Sequence, residues 1–389
     1  MAPESYSAPP NVDHSLYAAM GWSRYLWMNI KLMRLPFVLL FEILVSPFVA
    51  RSRGKDFRRV IGDTIFRFVT DTLPDVELQY FLGTSVGIYS DWARKVHLPI
   101  TIDELPGEGK LLWIGPKRTD KVILFCHGGA YIAPVQDFML PFWRFIQLQL
   151  EQQGMKVGIA VMSYSVIPSA SFPTPLWQAS QAIKHLISVE HVDPSNLQLF
   201  GDSAGGNLVS QILSSMLHPP FSPPIIPPGT RLRGAYMMSP WITMTGMGSQ
   251  GSKEMLPSFV DNDDTDVIST RSLLRWGNDV LIRLRNPPFD IPYVDPIRAP
   301  HDWYKGLSDI VDRIFVSTGE FECLRDADRV FFEDKIRPWH DKAEFFELKG
   351  GVHNDPFFDF NVAAGPLGSR QMLTPVIIDW IAEGFEKNR

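Results

Sequence analysis

From about residue 110 to the C-terminus, short apolar runs alternate with stretches whose apolar positions recur at helical spacing. Residues 121–126, 157–164, 196–200, 232–238, 313–317 and 343–348 are nearly continuous hydrophobic runs, the pattern of strands buried on both faces. Between them, residues 138–153, 175–189, 204–217, 325–336 and 370–387 predict helices long enough to cross a sheet face. Strand and helix in regular alternation predict an α/β fold, a mostly parallel central sheet flanked by helices. No period of roughly 20–50 residues recurs, which sets aside solenoids and propellers.

Two segments break the alternation. Residues 219–229 are so rich in proline that neither helix nor central strand can form there, and they read as a stiff connector. Residues 242–309 form a long insertion with one helical stretch near 269–285, the pattern of a helical cap over a binding site. Ahead of the main domain (105–389) lies an N-terminal extension (1–104) that is expected to contribute to the cap. It holds the apolar segment 35–50, LPFVLLFEILVSPFVA, interrupted by Pro36, Glu42 and Pro47. That is shorter than the ~20 residues of a spanning helix. Lys31 and Arg34 before it, with Arg51, Arg53, Lys55, Arg58 and Arg59 after it, fit an interfacial helix or a short signal anchor, and a lid helix equally well. Residues 1–26 are mixed and polar, so no cleaved secretory signal is expected.

Composition removes several classes of function. The formal charge of −6 arises from 43 acidic and 37 basic residues dispersed along the chain, so no footprint for nucleic acid exists. Two cysteines, Cys126 and Cys323, match neither a disulfide framework nor a zinc or redox spacing. The cluster Asp261, Asp263, Asp264 and Asp266 lacks the glycine and terminal glutamate of a calcium loop and reads as a solvated helix start. No cofactor and no metal are expected.

The chemistry-bearing residues follow the strands. Gly201-Asp202-Ser203-Ala204-Gly205 lies between the run 196–200 and a helix, where a nucleophilic serine projects from a sharp strand-to-helix turn. His127-Gly128-Gly129-Ala130-Tyr131 follows the run 121–126, and the amides of Gly128 and Gly129, with that of Ala204, form a candidate oxyanion hole. His127 reads as a brace for this loop. The order serine, acid, histidine selects His353, which follows the last strand, as the base. Spacing alone leaves Glu320, Glu322 and Asp326 open as the acid.

Together HGGAY at 127–131, DPSNLQLFGDSAGGNL at 193–208, SPW at 239–241 and ECLRD at 322–326 resemble the hormone-sensitive-lipase-like branch of the α/β-hydrolase fold. The resemblance covers residues 105–389 and implies a serine esterase that cleaves carboxylic esters without a cofactor. It also implies that Glu322 is the triad acid, although the branch more often has Asp followed by Pro there. Tyr164-Ser165-Val166-Ile167-Pro168 resembles the branch's Tyr-Arg-Leu-Ala-Pro segment with the arginine replaced. The extension with its apolar segment looks like the fungal steryl acetyl hydrolase group, which implies a small hydrophobic ester, an acylated sterol or secondary metabolite, as the partner. It also implies a membrane surface, at the endoplasmic reticulum or as a peripheral attachment, with a cytoplasmic location as the alternative. Acyl transfer, cyclisation or elimination on the same site, and a ligand receptor without turnover, are the rival readings.

Overall fold

A computed structural model describes residues 5–6, 11–48, 55–249, 251–362 and 373–386. Its centre is an 8-stranded sheet: β1 (Ile102–Glu104), β2 (Lys110–Ile114), β3 (Val122–Cys126), β4 (Gly158–Ser163), β5 (Leu197–Asp202), β6 (Gly234–Met238), β7 (Ile314–Gly319) and β8 (Ala343–Leu348). The order across the sheet is β1-β2-β4-β3-β5-β6-β7-β8. All pairs from β4 to β8 are parallel, whereas β1 pairs β2, and β2 pairs β4, antiparallel. At the antiparallel edge β1 and β2 are joined by a short turn that needs no crossover helix.

The described residues of the N-terminal part carry the α-helices α1 (Trp22–Leu32), α2 (Leu35–Val45), α3 (Phe57–Thr72), α4 (Asp75–Leu82) and α5 (Ser85–Lys95). Within the sheet region follow α6 (Met139–Gln152), α7 (Thr174–Ser188) and α8 (Ala204–Leu217). The insertion carries α9 (Pro257–Asp261), α10 (Thr270–Leu281), α11 (Pro287–Val294) and α12 (Leu307–Ile310). The last three are α13 (Arg325–Phe331), α14 (Asp355–Val362) and α15 (Leu373–Glu386). Of the apolar segment 35–50, residues 49 and 50 lie outside the described residues, as do Arg51 and Arg53 of its basic flank and residues 370–372 and 387 of the predicted last helix.

Every residue of β3 and β5 is buried, because helices cover both faces. Alternate side chains enter two cores. Val122, Leu124, Leu197 and Leu199 pack with α7 and α8, while Ile123, Phe125 and Phe200 pack with α6 and α15. Helix α8 is buried continuously from Ala204 to Ser215, so the element behind the candidate nucleophile is among the most enclosed parts of the molecule. The N-terminal helices form a smaller core of their own around Met28, Phe68, Val69, Leu73 and Leu78. They are bolted to the main domain by Arg59 of α3, which pairs with Asp355 and Asp359 of α14 at 3.1 and 2.8 Å.

Candidate active site

Strand β5 ends at Asp202, and Ser203 caps α8 with φ 51° and ψ −119°, a conformation a side-chain-bearing residue holds only at a cost. The turn is tight enough to exclude side chains on either side. A Cβ at Gly201 would lie 2.1 Å from Gly205 O, and one at Gly205 1.9 Å from Cys126 O. The surrounding chain fixes the turn: Ser203 N–H donates to Met238 O, and Trp241 N–H donates to Ser203 O, both at 2.9 Å. The first amides of α8 and its positive dipole end therefore lie directly beside the serine.

His353 sits in the turn between β8 and α14 and is almost fully buried. Burial pulls its imidazole down to about 3, so the ring is neutral at physiological pH and able to accept a proton. Its Nε2 is buried without a hydrogen-bond partner, and its Nδ1 lies 3.8 Å from Glu322 Oε2. Ser203 and His353 line the same cavity, of about 380 Å³, while no hydrogen bond joins them in this structure. Such bonds are often long until substrate binds.

The three carboxylates left open by spacing are separated by their partners. Glu320 accepts from Gly350 N–H at 2.7 Å on the exposed side, and Asp326 accepts from Ser258 N–H and pairs with Arg325, both at 2.9 Å. Glu322 alone turns inward toward His353. It is fully buried and accepts from Ser239 Oγ at 2.6 Å and Thr318 Oγ1 at 2.5 Å. Burial, reinforced by the nearby Asp266 charge, pushes it up to about 7, against the hydrogen bonds that favour its anion. Asp328, buried beside it, is driven well above the carboxylate range by burial and then by the Glu322 charge; as the neutral acid it has a proton to donate to Glu322.

The candidate oxyanion loop differs from the expectation at one position. Gly128 N–H donates to Asp202 Oδ1 at 2.7 Å and is committed to that bond rather than open to a ligand. A Cβ at Gly128 would lie 2.2 Å from Asp202 Oδ2, so this glycine serves the close approach of the two loops. Gly129 and Ala130 line the cavity beside Ser203, and Ala204 opens α8. His127 is buried, held neutral by a pKa lowered to about 4 through burial, stacked on Tyr164, and placed with Nδ1 2.6 Å from Gly128 O. Tyr164 Oη in turn donates to His127 O at 2.6 Å. Beside it, Gln178 bridges Ser165 to Gly107 O where the resembled motif carries an arginine.

Several site residues lie in stretches singled out in the sequence without a role of their own. Asp202 is enclosed by the Gly128 amide and by Asn354 Nδ2 at 2.7 Å, which couples the glycine loop to the histidine loop. Ser239 donates to Glu322 and accepts from Asn354 N–H at 3.2 Å. In the aspartate cluster Asp261 and Asp264 are exposed, as a solvated helix start requires, but Asp266 is buried and holds backbone amides. Its neighbour Asp263 caps α10 through Thr270 N–H at 2.7 Å.

Residues 123–356 match the family described as the alpha/beta hydrolase fold. The chain belongs to that family. This alpha/beta hydrolase also superimposes on solved structures. An esterase of the bacterial hormone-sensitive lipase family aligns with a TM-score of 0.61 and 20% identity over 85% of this chain and 99% of that one. A hormone-sensitive lipase from a metagenome library gives 0.61 and 17% over 85% and 99%. Carboxyl esterase 2 from the mycorrhizal fungus Tuber melanosporum gives 0.57 and 18% over 74% and 87%. At these identities the likeness is one of fold. No curated protein matches this hydrolase in sequence.

Proposed function

We propose that the chain is a serine carboxylic-ester hydrolase of the hormone-sensitive-lipase-like branch. The observation that carries the reading is that Ser203, on a strained elbow, and the neutral His353, backed by Glu322, open into one cavity. His353 Nε2 takes the Ser203 proton as Oγ attacks the ester carbonyl, and Glu322 stabilises the imidazolium through Nδ1. The amides of Gly129 and Ala204, with Ala130 beside them, receive the oxyanion. His353 then protonates the leaving alcohol, and water releases the acyl group by the same route.

The cavity walls support a lipophilic substrate. Ile65, Phe66 and Val69 of α3, Leu78 of α4, and Leu273 and Trp276 of α10 line it, so the N-terminal helices and the insertion cap it jointly. An acylated sterol or a similar hydrophobic secondary metabolite fits that lining. A chromogenic ester series of rising acyl length, run with the wild type and with Ser203→Ala, tests the reading: turnover must require Ser203.

The enzyme is further proposed to rest on a membrane surface. Among the described residues, no helix is long and apolar enough to cross a membrane. Helices α1 and α2 nevertheless expose Trp22, Trp27, Phe37, Phe41 and Leu44, with Arg24 and Arg34 exposed among them. Tyr25 of α1 packs on Tyr80 of α4, and the next residue, Phe81, lines the cavity. An apolar face with basic flanks, continuous with the site, suits an interfacial attachment that delivers lipophilic esters. Carbonate extraction of the membrane fraction tests it, since peripheral attachment predicts release and wholly soluble protein contradicts it.

A further inference from the structure

Asp266 lies in the cap insertion, between α9 and α10, yet its carboxylate is nearly completely buried at the back of the triad. Oδ2 accepts from Cys323 N–H at 2.8 Å, and Oδ1 accepts from His353 N–H at 2.9 Å and Val267 N–H at 2.7 Å. Cys323 directly follows the acid, and His353 is the base. One carboxylate therefore holds the acid loop and the histidine loop together. Arg67 of α3 adds a third party, since its Nη1 donates to Asp266 O at 2.7 Å. Other insertion residues grip only the acid loop: Asn262 Nδ2 donates to Glu322 O at 2.9 Å and Ser258 Oγ to Cys323 O at 2.7 Å.

We infer that Asp266 is a positioning residue for the triad, a clamp from the cap that sets how Glu322 faces His353. The inference rests on the serine hydrolase reading. Two charge-assisted bonds to the backbones of both loops fix their relative placement, which side-chain contacts within either loop cannot do. Burial raises the carboxyl to about 6 and the three amides oppose that rise, so it is an anion at pH 8. Asp266 does not line the cavity, so the clamp acts on alignment rather than on substrate binding. A small misalignment of reacting groups is enough to cost about 100-fold in rate.

The test is active-site titration of Asp266→Asn at pH 8 with a fluorophosphonate, followed by acylation kinetics per titrated site. The amide of asparagine turns an N–H toward one of the backbone N–H groups and opens the clamp. The expected result is a normal titre, acylation slowed about 10- to 100-fold, and KM changed less than about twofold. Combined with Glu322→Gln, which removes the alignment the clamp serves, the substitution should add less than about twofold. An unchanged rate per titrated site, or fully additive losses, overturns the clamp. Asp266→Glu keeps the charge but lengthens the arm and should slow acylation similarly. If neither variant unfolds cooperatively, Asp266 belongs to the fold alone and the inference falls. Failure of the wild type to titrate would instead overturn the serine hydrolase reading.

Discussion

Replacing Glu322 by glutamine separates the acid's catalytic role from its effect on stability. In the native chain both carboxylate oxygens accept from hydroxyls, those of Ser239 and Thr318, and Oε2 faces His353 Nδ1. Glutamine keeps the shape, and the two hydroxyls can rotate to satisfy it. Its Nε2, however, presents a proton to Nδ1 and favours the wrong imidazole tautomer, with Nε2 protonated and unable to accept from Ser203. Tautomer loss of this kind costs on the order of 10⁴ in kcat, or about 5 kcal/mol of transition-state stabilisation. Stability should move the other way. The acid rises from its ordinary 4.5 to about 7 on folding, so at pH 8 the ionised buried group costs on the order of 3 kcal/mol that a neutral amide avoids. The assay is kcat/KM on a short-chain chromogenic ester with thermal melts at pH 8, beside Glu320→Gln, which loses one bond to Gly350 N–H. A loss for Glu320→Gln equal to that for Glu322→Gln, or a melting temperature of Glu322→Gln well below wild type, would refute the reasoning.

Further outcomes follow from the same geometry. Burial raises Glu322 to about 7, and only its anion can stabilise the imidazolium, so kcat/KM should climb as pH rises through about 7, and a flat profile from pH 6 to 8 contradicts the assignment. Melting temperature should fall as pH rises to about 7 and level off above it, because Glu322 and Asp202, both raised to about 7 by burial, stay protonated in the fold while the unfolded chain has already ionised, and that contribution is gone once pH passes their folded values. Val69→Trp fills part of the cavity and should lower kcat/KM for long acyl chains about tenfold more than for acetyl esters; equal losses would remove α3 from the substrate wall. Trp27→Ser with Phe41→Ser should weaken flotation with anionic vesicles at least about tenfold while leaving soluble-ester turnover intact, since burying one aromatic is worth about 1.5–3 kcal/mol.

The interior strands and the helices between them were legible because β3 and β5 are buried on both faces and so read as unbroken apolar runs. The antiparallel strands β1 and β2 were not: β1 is three residues long and only half-buried, so its pattern carries no burial signal, whereas the other edge strand, β8, was read at 343–348. Ser203 and His353 were readable as candidates because a tight turn demands glycines at fixed offsets and chain order limits the base. The acid was not fixed by spacing, since only long-range contacts turn Glu322 inward while Glu320 faces Gly350 and Asp326 faces Arg325. Asp266 was read as solvated because its burial depends on Arg67 of α3 and on two loops far along the chain. Gly128 was read as an open donor because nothing local announces that Asp202 takes its amide.

The central claim is that Ser203 is a nucleophile activated by His353. Mass-spectrometric mapping of a fluorophosphonate adduct on the folded protein tests it most directly. The account predicts one stoichiometric adduct on Ser203 in the wild type, none on Ser203→Ala, and labelling slowed by orders of magnitude on His353→Ala despite an unchanged melt. An adduct on another residue, or labelling of Ser203 at the same rate in His353→Ala, would contradict it.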